Sequence, residues 1–200
     1  LSYYVFFGTK LEILQKFARR VGKQAFPPKW SFDYCASTMA YTDADNAYEE
    51  MRGFIKKLKE YDRLYDIYHS YDGLTNLKTV NETAAAAPVT VDEAIMGLLQ
   101  FSKEMYTLTQ GKTNVAFGAV LQLWHNARED AAAHPEAAAL PDSAALSAAA
   151  QHTDINDLVL DESASTVFFA DAQLQLDVGA VAKGYAVREV CRWAAENLWQ

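Results

Sequence analysis

The chain has 200 residues, a formal net charge of −8 and a hydrophobic fraction of 50%. Its length fits one domain or a large piece of a bigger protein, and the apolar half allows a sizeable core. The negative charge argues against a nucleic-acid surface, which would need a basic face. No apolar run approaches the roughly 20 residues of a membrane span. The opening LSYYVFFG is short and lacks a basic region, so it does not resemble a signal peptide, although an export signal could have been removed upstream of Leu1.

The first part of the chain is predicted to be rich in helix. Apolar spacing predicts a helix over residues 10–24, which the stretch FPPKW ends. SFDYCASTMAYT, residues 31–42, predicts a strand. A long helix should follow over residues 43–68, capped by Thr42 or Asp43. Its predicted buried stripe consists of Met51, Phe54, Leu58, Tyr61, Leu64 and Tyr65.

The middle of the chain alternates loops and helices. Residues 71–88 have a loop-like composition, and the TVDE stretch from Thr90 to Glu93 predicts a capping box that opens a helix to about residue 109. Residues 111–125 should begin as a loop and become a buried segment. The Ala-rich residues 127–151 have helical propensity but few large apolar groups, so we expect a surface insertion.

The last third predicts strands and then a helix. DLVLD and STVFFAD indicate two strands joined by the ESA turn, and LQLDV indicates a third strand. From Gly179 the spacing becomes helical, with Val187, Val190, Ala194 and Leu198 on one face. The order of helices, antiparallel strands and a final helix predicts an α+β fold, with long helices packed on an antiparallel sheet.

The two cysteines, Cys35 and Cys191, lie far apart in apolar surroundings. They form no CxxC pair and have no histidine spacing typical of zinc. We therefore expect buried free thiols.

The stretch LQLDVGAVAKGYAVREV, residues 174–190, carries the strongest chemical signal. Asp177 ends a predicted strand, Gly179 follows, and Lys183 stands at the start of a predicted helix. Amides at a helix start and a lysine suit a phosphate, whereas a carboxylate suits a hydroxyl, a ring N–H or a metal. The alternative is a tight strand-to-helix turn that needs small residues, and the spacing alone slightly favours this structural interpretation.

Four stretches in order resemble the ApbE family, the FAD:protein FMN transferases. DVGAVAKGYAV resembles the motif D-x-G-G-x-A-K-G-Y, and TQGKTNVAFGAVLQLW aligns without gaps on T-x-G-A-F-D-P-T-V-G-P-L-V-x-L-W. SFDYCASTMAYTD resembles the first strand of the family, and LYDIYHSYDGLTNLKTVN resembles a segment that ends in a serine-rich turn and an Asn. The outright matches in the second motif are Thr109, Gly111, Gly118, Leu123 and Trp124.

The resemblance implies two regions and an activity. Residues 30–200 would form an ApbE-like flavin transferase domain whose C-terminal part is absent, and residues 1–29 an extension without a recognised motif. Family members bind FAD as a substrate together with Mg²⁺, transfer FMN to a threonine of a partner flavoprotein such as a redox-pump subunit, and release AMP. The alternatives are an FAD pyrophosphatase or a non-catalytic FAD-binding module of the same family, and a flavin-free interaction domain.

The resemblance also implies a location. Members are exported lipoproteins or lie at the outer face of the cytoplasmic membrane, so contact with a membrane would require a lipid anchor that this chain does not show.

The resemblance assigns roles residue by residue. Asp177 would contact the flavin, Ala180 would offer its carbonyl to the metal, and Lys183 would contact FAD. The other implied cofactor contacts are Phe32, Tyr71, Lys112, Thr113 and Asn114. On composition alone, Tyr71 and Phe32 are more often core aromatics than cofactor contacts, and Asn114 could be an ordinary loop cap. No catalytic residue is assigned, because no histidine pairs with a nucleophile.

The chain departs from the family pattern at several positions. Asn114 replaces an aspartate and cannot bring charge to a metal, KTNVA replaces AFDPT, and Arg188 stands where many members have Asp. The remaining metal ligands and a histidine-containing segment of the family would lie beyond Gln200. We therefore expect one wall of an FAD and metal site in these residues.

Overall fold

A computed structural model of the chain describes residues 44–197. The predictions for the first helix, the first strand, Phe32 and Cys35 lie outside the described residues, and so does the proposed boundary at residue 30. The chain divides into two compact units, and each is described by itself. One unit comprises Leu1–Glu60 with Gly184–Gln200, and the other comprises Tyr61–Lys183.

Helix α1, Ala44–Leu64, confirms the predicted long helix and ends a turn earlier than expected. Beyond it, the Asp66 carboxylate accepts hydrogen bonds from the backbone N–H groups of Tyr68 and His69, at 2.7 and 3.1 Å. These bonds compete with helical hydrogen bonding and favour a turn. Of the predicted stripe, Phe54, Leu64 and Tyr65 are buried, and Leu58 and Tyr61 are half-buried.

The segment predicted as a loop contains a short helix. Helix α2, Leu77–Thr83, is capped by Asn76, whose side-chain oxygen accepts the N–H of Thr79 at 3.1 Å. Leu77 and Val80 are fully buried. Seven residues are too few to show helical periodicity in a sequence, so burial and the cap decide this element.

Helix α3, Glu93–Leu108, confirms the helix that the TVDE stretch predicts. The cap, however, is Asp92 rather than Thr90, and its carboxylate accepts the N–H of Ala94 at 2.8 Å. Thr90 instead belongs to strand β1, Val89–Thr90. The prediction of a capping box is therefore wrong, although the predicted helix does begin at Glu93.

Helix α4, Gly118–Ala133, and helix α5, Ser143–Ala149, carry the second motif and the Ala-rich residues. Short 3₁₀ turns occupy Pro135–Ala137, Ala150–His152 and Ile155–Asp157. Helix α5 has no buried residue, and Leu140 is 81% exposed. The surface insertion is thus confirmed over its described residues.

The sheet has the strand order β1-β3-β2, with β2 at Leu158–Asp161 and β3 at Thr166–Phe169. Strands β2 and β3 form the predicted antiparallel hairpin, which pairs Leu158 with Phe169 and Asp161 with Thr166. β1 pairs antiparallel with the other side of β3. The inward residues Leu158, Val167 and Phe169 are at most 1% exposed, as alternation predicts.

The prediction of a third strand at LQLDV is wrong. Leu174 and Leu176 are each 1% exposed, so the alternation is real, yet this segment joins no ladder and makes a single parallel bridge from Gln175 to Phe117. A strand requires a neighbouring backbone over several residues. Here the neighbours are the Asn81 side chain and a loop.

Helix α6, Ala182–Asn197, confirms the final helix. Val190 and Ala194 are fully buried, as the predicted face requires, and Val187 is half-buried. Cys191 on this helix is disulfide-bonded, so the prediction of a free thiol is wrong there.

Candidate functional site

Backbone and side-chain contacts fix the segment that leads into the DVGAVAKG motif. The N–H of Asp177 donates to the Val115 carbonyl at 2.8 Å, and the N–H of Gly118 donates to the Gln175 carbonyl at 3.0 Å. Residues 115–118 and 175–177, together with Asn81, are called the seam below. It places the start of α4 directly against the motif.

Asn81 on helix α2 holds the other side of this segment. Its amide nitrogen donates to the Leu176 carbonyl at 3.0 Å, and its amide oxygen accepts the Leu176 N–H at 2.8 Å. One side chain thus satisfies both backbone groups of a residue that is 1% exposed. A strand partner would ordinarily do this, which explains how the segment stays extended without a ladder.

The two backbone segments of the seam come closest together at Gly118. A Cβ at this position would lie 2.5 Å from the Gln175 carbonyl oxygen and 2.7 Å from its carbonyl carbon. These are backbone atoms that cannot swing aside as a side chain would. Gly118 is therefore required by the contact, which agrees with its match to the second motif.

Asp177 turns the chain towards helix α6. Its carboxylate accepts the N–H of Gly179 at 2.8 Å, and the Val178 carbonyl accepts the N–H groups of Val181 and Ala182. Ala180 is exposed in this turn. The small residues therefore do form a tight turn, and the same turn presents a half-buried carboxylate beside it.

A cleft of about 130 Å³ opens beside the seam. Its lining residues are Ile67, Tyr68, Lys78, Asn81, Glu82, Gly118, Leu121, Gln122, His125, Gln175, Leu176 and Asp177. Sites that enclose a whole ligand measure roughly 300–1,000 Å³. The cleft by itself has room for one ring or phosphate group of a dinucleotide.

The lining of the cleft contains an ion pair and two stacked rings. Lys78 Nζ lies 2.9 Å from a carboxylate oxygen of Glu82, one turn along helix α2. The rings of Tyr68 and His125 stack with centroids 5.3 Å apart. Neither residue had a predicted role. Tyr68 lies within the stretch LYDIYHSYDGLTNLKTVN, and His125 directly follows the second motif, so position was their only sequence signal.

Of the residues predicted to contact the cofactor, Asp177 lines the cleft. Lys112, Thr113 and Asn114 immediately precede the seam residue Val115 without lining the cleft. Asn114 donates to the Thr153 carbonyl at 2.8 Å and accepts the Ala116 N–H at 2.9 Å. Its amide therefore ties the loop around residue 114 to the Thr153 backbone. Its contact with a cofactor stays a prediction.

Tyr71 lies on the turn after α1 and is not a lining residue of the cleft. Its hydroxyl donates to Asp66 at 2.8 Å, and the Arg63 guanidinium stands 4.7 Å from the centre of its ring. The hydrogen bond to Asp66, followed by burial, raises the pKa of Tyr71 to about 12. The ring is half-buried within these contacts, and its contact with a cofactor stays a prediction.

Asp66 organises that turn. Burial opposes its charge, but hydrogen bonds from the Tyr68 N–H, the Tyr71 hydroxyl and His69 outweigh burial and lower the pKa of Asp66 below its usual value. The carboxylate is thus held ionised at the entrance to helix α2.

Lys183 and Ala180 follow the seam on the exposed side of the turn. Among residues 44–197 no group of three or more His, Cys, Asp or Glu side chains is arranged to hold a metal ion. The described residues therefore do not by themselves fit a complete Mg²⁺ site, which needs about six oxygen ligands. No helix in this part of the chain is both long and apolar enough to cross a bilayer.

Comparisons with known proteins agree with the motifs. The ApbE family profile matches residues 34–199. A FAD:protein FMN transferase of Klebsiella pneumoniae (strain 342) is 29% identical over 140 residues, which are 64% of this chain and 40% of that protein. One of Treponema pallidum (strain Nichols) is 33% identical over 119 residues, 57% of this chain and 31% of that protein. The chain thus spans less than half the length of these relatives.

Solved structures support the fold. Flavin transferase ApbE from Vibrio cholerae superimposes with a TM-score of 0.62 at 20% identity, over 80% of this chain and 48% of that one. The ApbE protein from Thermotoga maritima MSB8 gives 0.61 at 21% identity, over 76% of this chain and 47% of that one. The predicted α+β architecture is confirmed.

Proposed function

The chain belongs to the ApbE family, and from that premise we propose that the protein is a flavin transferase that moves FMN from FAD to a threonine of an acceptor flavoprotein. The observation that carries this proposal is the seam, which holds the Asp177 carboxylate at a cleft immediately before the turn that leads to Lys183. Two curated relatives named FAD:protein FMN transferase support the flavin substrate.

The proposed reaction is a phosphoryl transfer. The threonine oxygen attacks the phosphorus of the FMN half of FAD, a new P–O bond forms, and the bond to the AMP phosphate breaks. The threonine proton is lost and AMP leaves with the electron pair of the broken bond. Such a reaction needs an aligned hydroxyl and stabilisation of the phosphate charge.

The chain's own residues would position the substrate. Asp177 would accept a hydrogen bond from the flavin, since its carboxylate is half-buried and faces the cleft. Lys183, exposed at the start of α6, would bind a phosphate oxygen. Lys112, Thr113 and Asn114 would border the same substrate through their connection to Val115.

We propose a requirement for Mg²⁺ as well, with the Ala180 carbonyl as one oxygen ligand. When bound, the ion would neutralise pyrophosphate charge. Because the described residues offer no complete ligand set, we derive no step through it.

We propose that the acceptor is a redox-pump type flavoprotein subunit and that the protein acts outside the cytoplasm, at the membrane through a lipid anchor. The disulfide at Cys191 supports an exported location, since disulfides persist in oxidising compartments. Labelling with a thiol reagent before and after reduction, on protein isolated from its native cells, tests this. Reaction without reduction would contradict it.

The activity is tested with the full-length protein, FAD, Mg²⁺ and a purified redox-pump flavoprotein subunit. With the wild-type acceptor we expect AMP release and flavin fluorescence that stays bound to the acceptor after denaturation. An acceptor whose threonine is replaced by alanine should show no attached flavin. Free FMN with AMP would indicate a pyrophosphatase instead. A yellow protein without AMP would indicate a binding module, and a colourless protein a flavin-free domain.

Variants at Asp177 test the site itself. Asp177→Asn keeps an oxygen for the Gly179 N–H but removes the charge, so we expect the fold to persist while FAD affinity and transfer fall at least tenfold. Asp161→Ala is the matched control, because Asp161 also accepts a backbone N–H in a turn, at 3.0 Å from Ala164, and does not line the cleft. Full FAD affinity in Asp177→Asn would refute the assignment.

A further inference from the structure

We propose that the hydrogen-bonded pair of His152 and Asp171 positions the Asp177 carboxylate, acting through the seam rather than by contact with a ligand. The inference rests on the proposed function, because Asp177 is the group that would meet the flavin. Both side chains are half-buried, and neither lines the cleft nor lies in one of the four motif stretches. All the residues concerned belong to the unit Tyr61–Lys183.

The pair itself has a defined direction. His152 Nδ1 lies 2.7 Å from one carboxylate oxygen of Asp171, and the other oxygen accepts the N–H of Gln173 at 2.8 Å. The Gln173 N–H, followed by the imidazole, lowers the pKa of Asp171. An ionised carboxylate only accepts hydrogen bonds, so Nδ1 of His152 carries the proton and donates it. Asp171 thereby fixes the orientation of the imidazole.

The pair reaches one side of the seam through Asp171. The Asp171 carbonyl accepts the N–H of Leu174 at 3.2 Å, and Leu174 is 1% exposed. Gln175 follows directly, and its carbonyl accepts the Gly118 N–H at 3.0 Å. The turn at Asp171 therefore sets where the extended residues 175–177 begin.

The residue after His152 reaches the other side of the seam. The Thr153 carbonyl accepts a hydrogen bond from the Asn114 side chain at 2.8 Å, and Asn114 directly precedes Val115. The Val115 carbonyl accepts the Asp177 N–H at 2.8 Å. Two consecutive residues of one turn thus hold both sides of the seam, in a closed network of hydrogen bonds that includes Asp177.

A closed network resists sliding of one segment past the other. Its hydrogen bonds support one another, and a small displacement of a binding group is costly when a ligand must meet it. The Asn81 side chain still holds Leu176 when the pair is removed. We therefore expect a folded protein in which Asp177 is less well aligned.

The experiment measures the FAD affinity of the full-length protein by calorimetry. His152→Ala should weaken FAD binding about fivefold. His152→Asn should recover most of the loss, because its side-chain N–H can take the place of Nδ1–H. His134→Ala is the matched control and should bind like the wild type: His134 lies 3.8 Å from the Glu136 carboxylate, is 70% exposed and does not line the cleft.

A second variant tests the other member of the pair. Asp171→Asn keeps an acceptor for the Gln173 N–H but removes the charged partner of His152, so FAD affinity should again fall. Thermal melts establish that each variant is folded at the assay temperature.

A double-mutant cycle separates positioning from general weakening of the fold. If the pair acts through Asp177, His152→Ala should weaken FAD binding no further in the Asp177→Asn background. Amide hydrogen exchange gives a measurement without ligand: the Asp177 N–H should exchange faster in His152→Ala, and the amides of helix α3 should not.

Three results would overturn the inference and leave the proposed function intact. They are unchanged FAD affinity in His152→Ala, fully multiplicative effects in the cycle, and unchanged exchange of the Asp177 N–H. A wild-type protein that binds no FAD would instead refute the proposed function, and the exchange measurement would still decide whether the pair positions Asp177.

Discussion

The seam and the Ala-rich insertion lie in the same compact unit, yet they differ in how many contacts hold each residue. In the seam, Asn81, Gly118 and the backbone of residues 175–177 satisfy one another at distances of 2.8–3.0 Å. In the insertion, residues 127–151, helix α5 buries no residue and Leu140 is 81% exposed. The difference teaches that the family motifs mark places where backbones meet closely, whereas the Ala-rich insertion contributes little to the core.

Gly118→Ala should give the largest effect, because its Cβ would meet the Gln175 carbonyl at 2.5 Å. We expect a loss of about 2–4 kcal/mol in the free energy of unfolding, since overpacking against backbone forces the two segments apart. Urea denaturation measures it. Gly184→Ala is the control, because a Cβ there meets nothing within 4 Å, and it should stabilise helix α6 by up to about 1 kcal/mol. Equal effects from the two variants would contradict the close approach.

Asn81→Ala should rank second. It removes both hydrogen bonds to Leu176 and leaves a buried N–H and carbonyl without their partner. We expect a loss of about 1–3 kcal/mol and weaker FAD binding, because Asp177 follows Leu176 directly. Asn126→Ala, which removes an exposed amide pair with Gln122, should change neither quantity. Unchanged FAD affinity in Asn81→Ala would show that the seam does not position Asp177.

Asp66→Asn should rank third. The hydrogen bonds that lower the pKa of Asp66 stabilise the fold above the unfolded-state pKa of about 3.9, and this stabilisation is lost as the pH falls through the lower folded-state value. The side chain is 13% exposed, but its hydrogen bonds lie in a surface turn where solvent competes for the carboxylate, so we expect about 1 kcal/mol at pH 7. The difference between the variant and the wild type in thermal melts should shrink below about pH 4. A constant difference from pH 7 to pH 3 would contradict this role.

Leu140→Ser should change the free energy of unfolding least, and it tests the insertion as the earlier variants test the seam. The side chain lies in the insertion, mostly exposed, so we expect a change within about 0.5 kcal/mol. FAD binding should also be unaffected. A larger destabilisation would show that the insertion is part of the core after all.

The amino-acid sequence by itself determined the elements with a long or regular pattern. Helices α1 and α6 and the β2–β3 hairpin follow from apolar periodicity, and helix α3 follows from the TVDE stretch. The motif around Asp177 follows from its resemblance to the ApbE family. These features are local, because the residues that specify them are neighbours in the chain.

Only the tertiary structure decided the features that join distant segments. Helix α2 depends on burial of Leu77 and Val80, and LQLDV is extended because Asn81, 95 residues from Leu176, replaces a strand partner. The meeting of Tyr68 with His125 belongs to the same class. A sequence pattern records what each residue prefers, whereas the chemistry at the cleft depends on which distant residues the fold brings within a few ångströms.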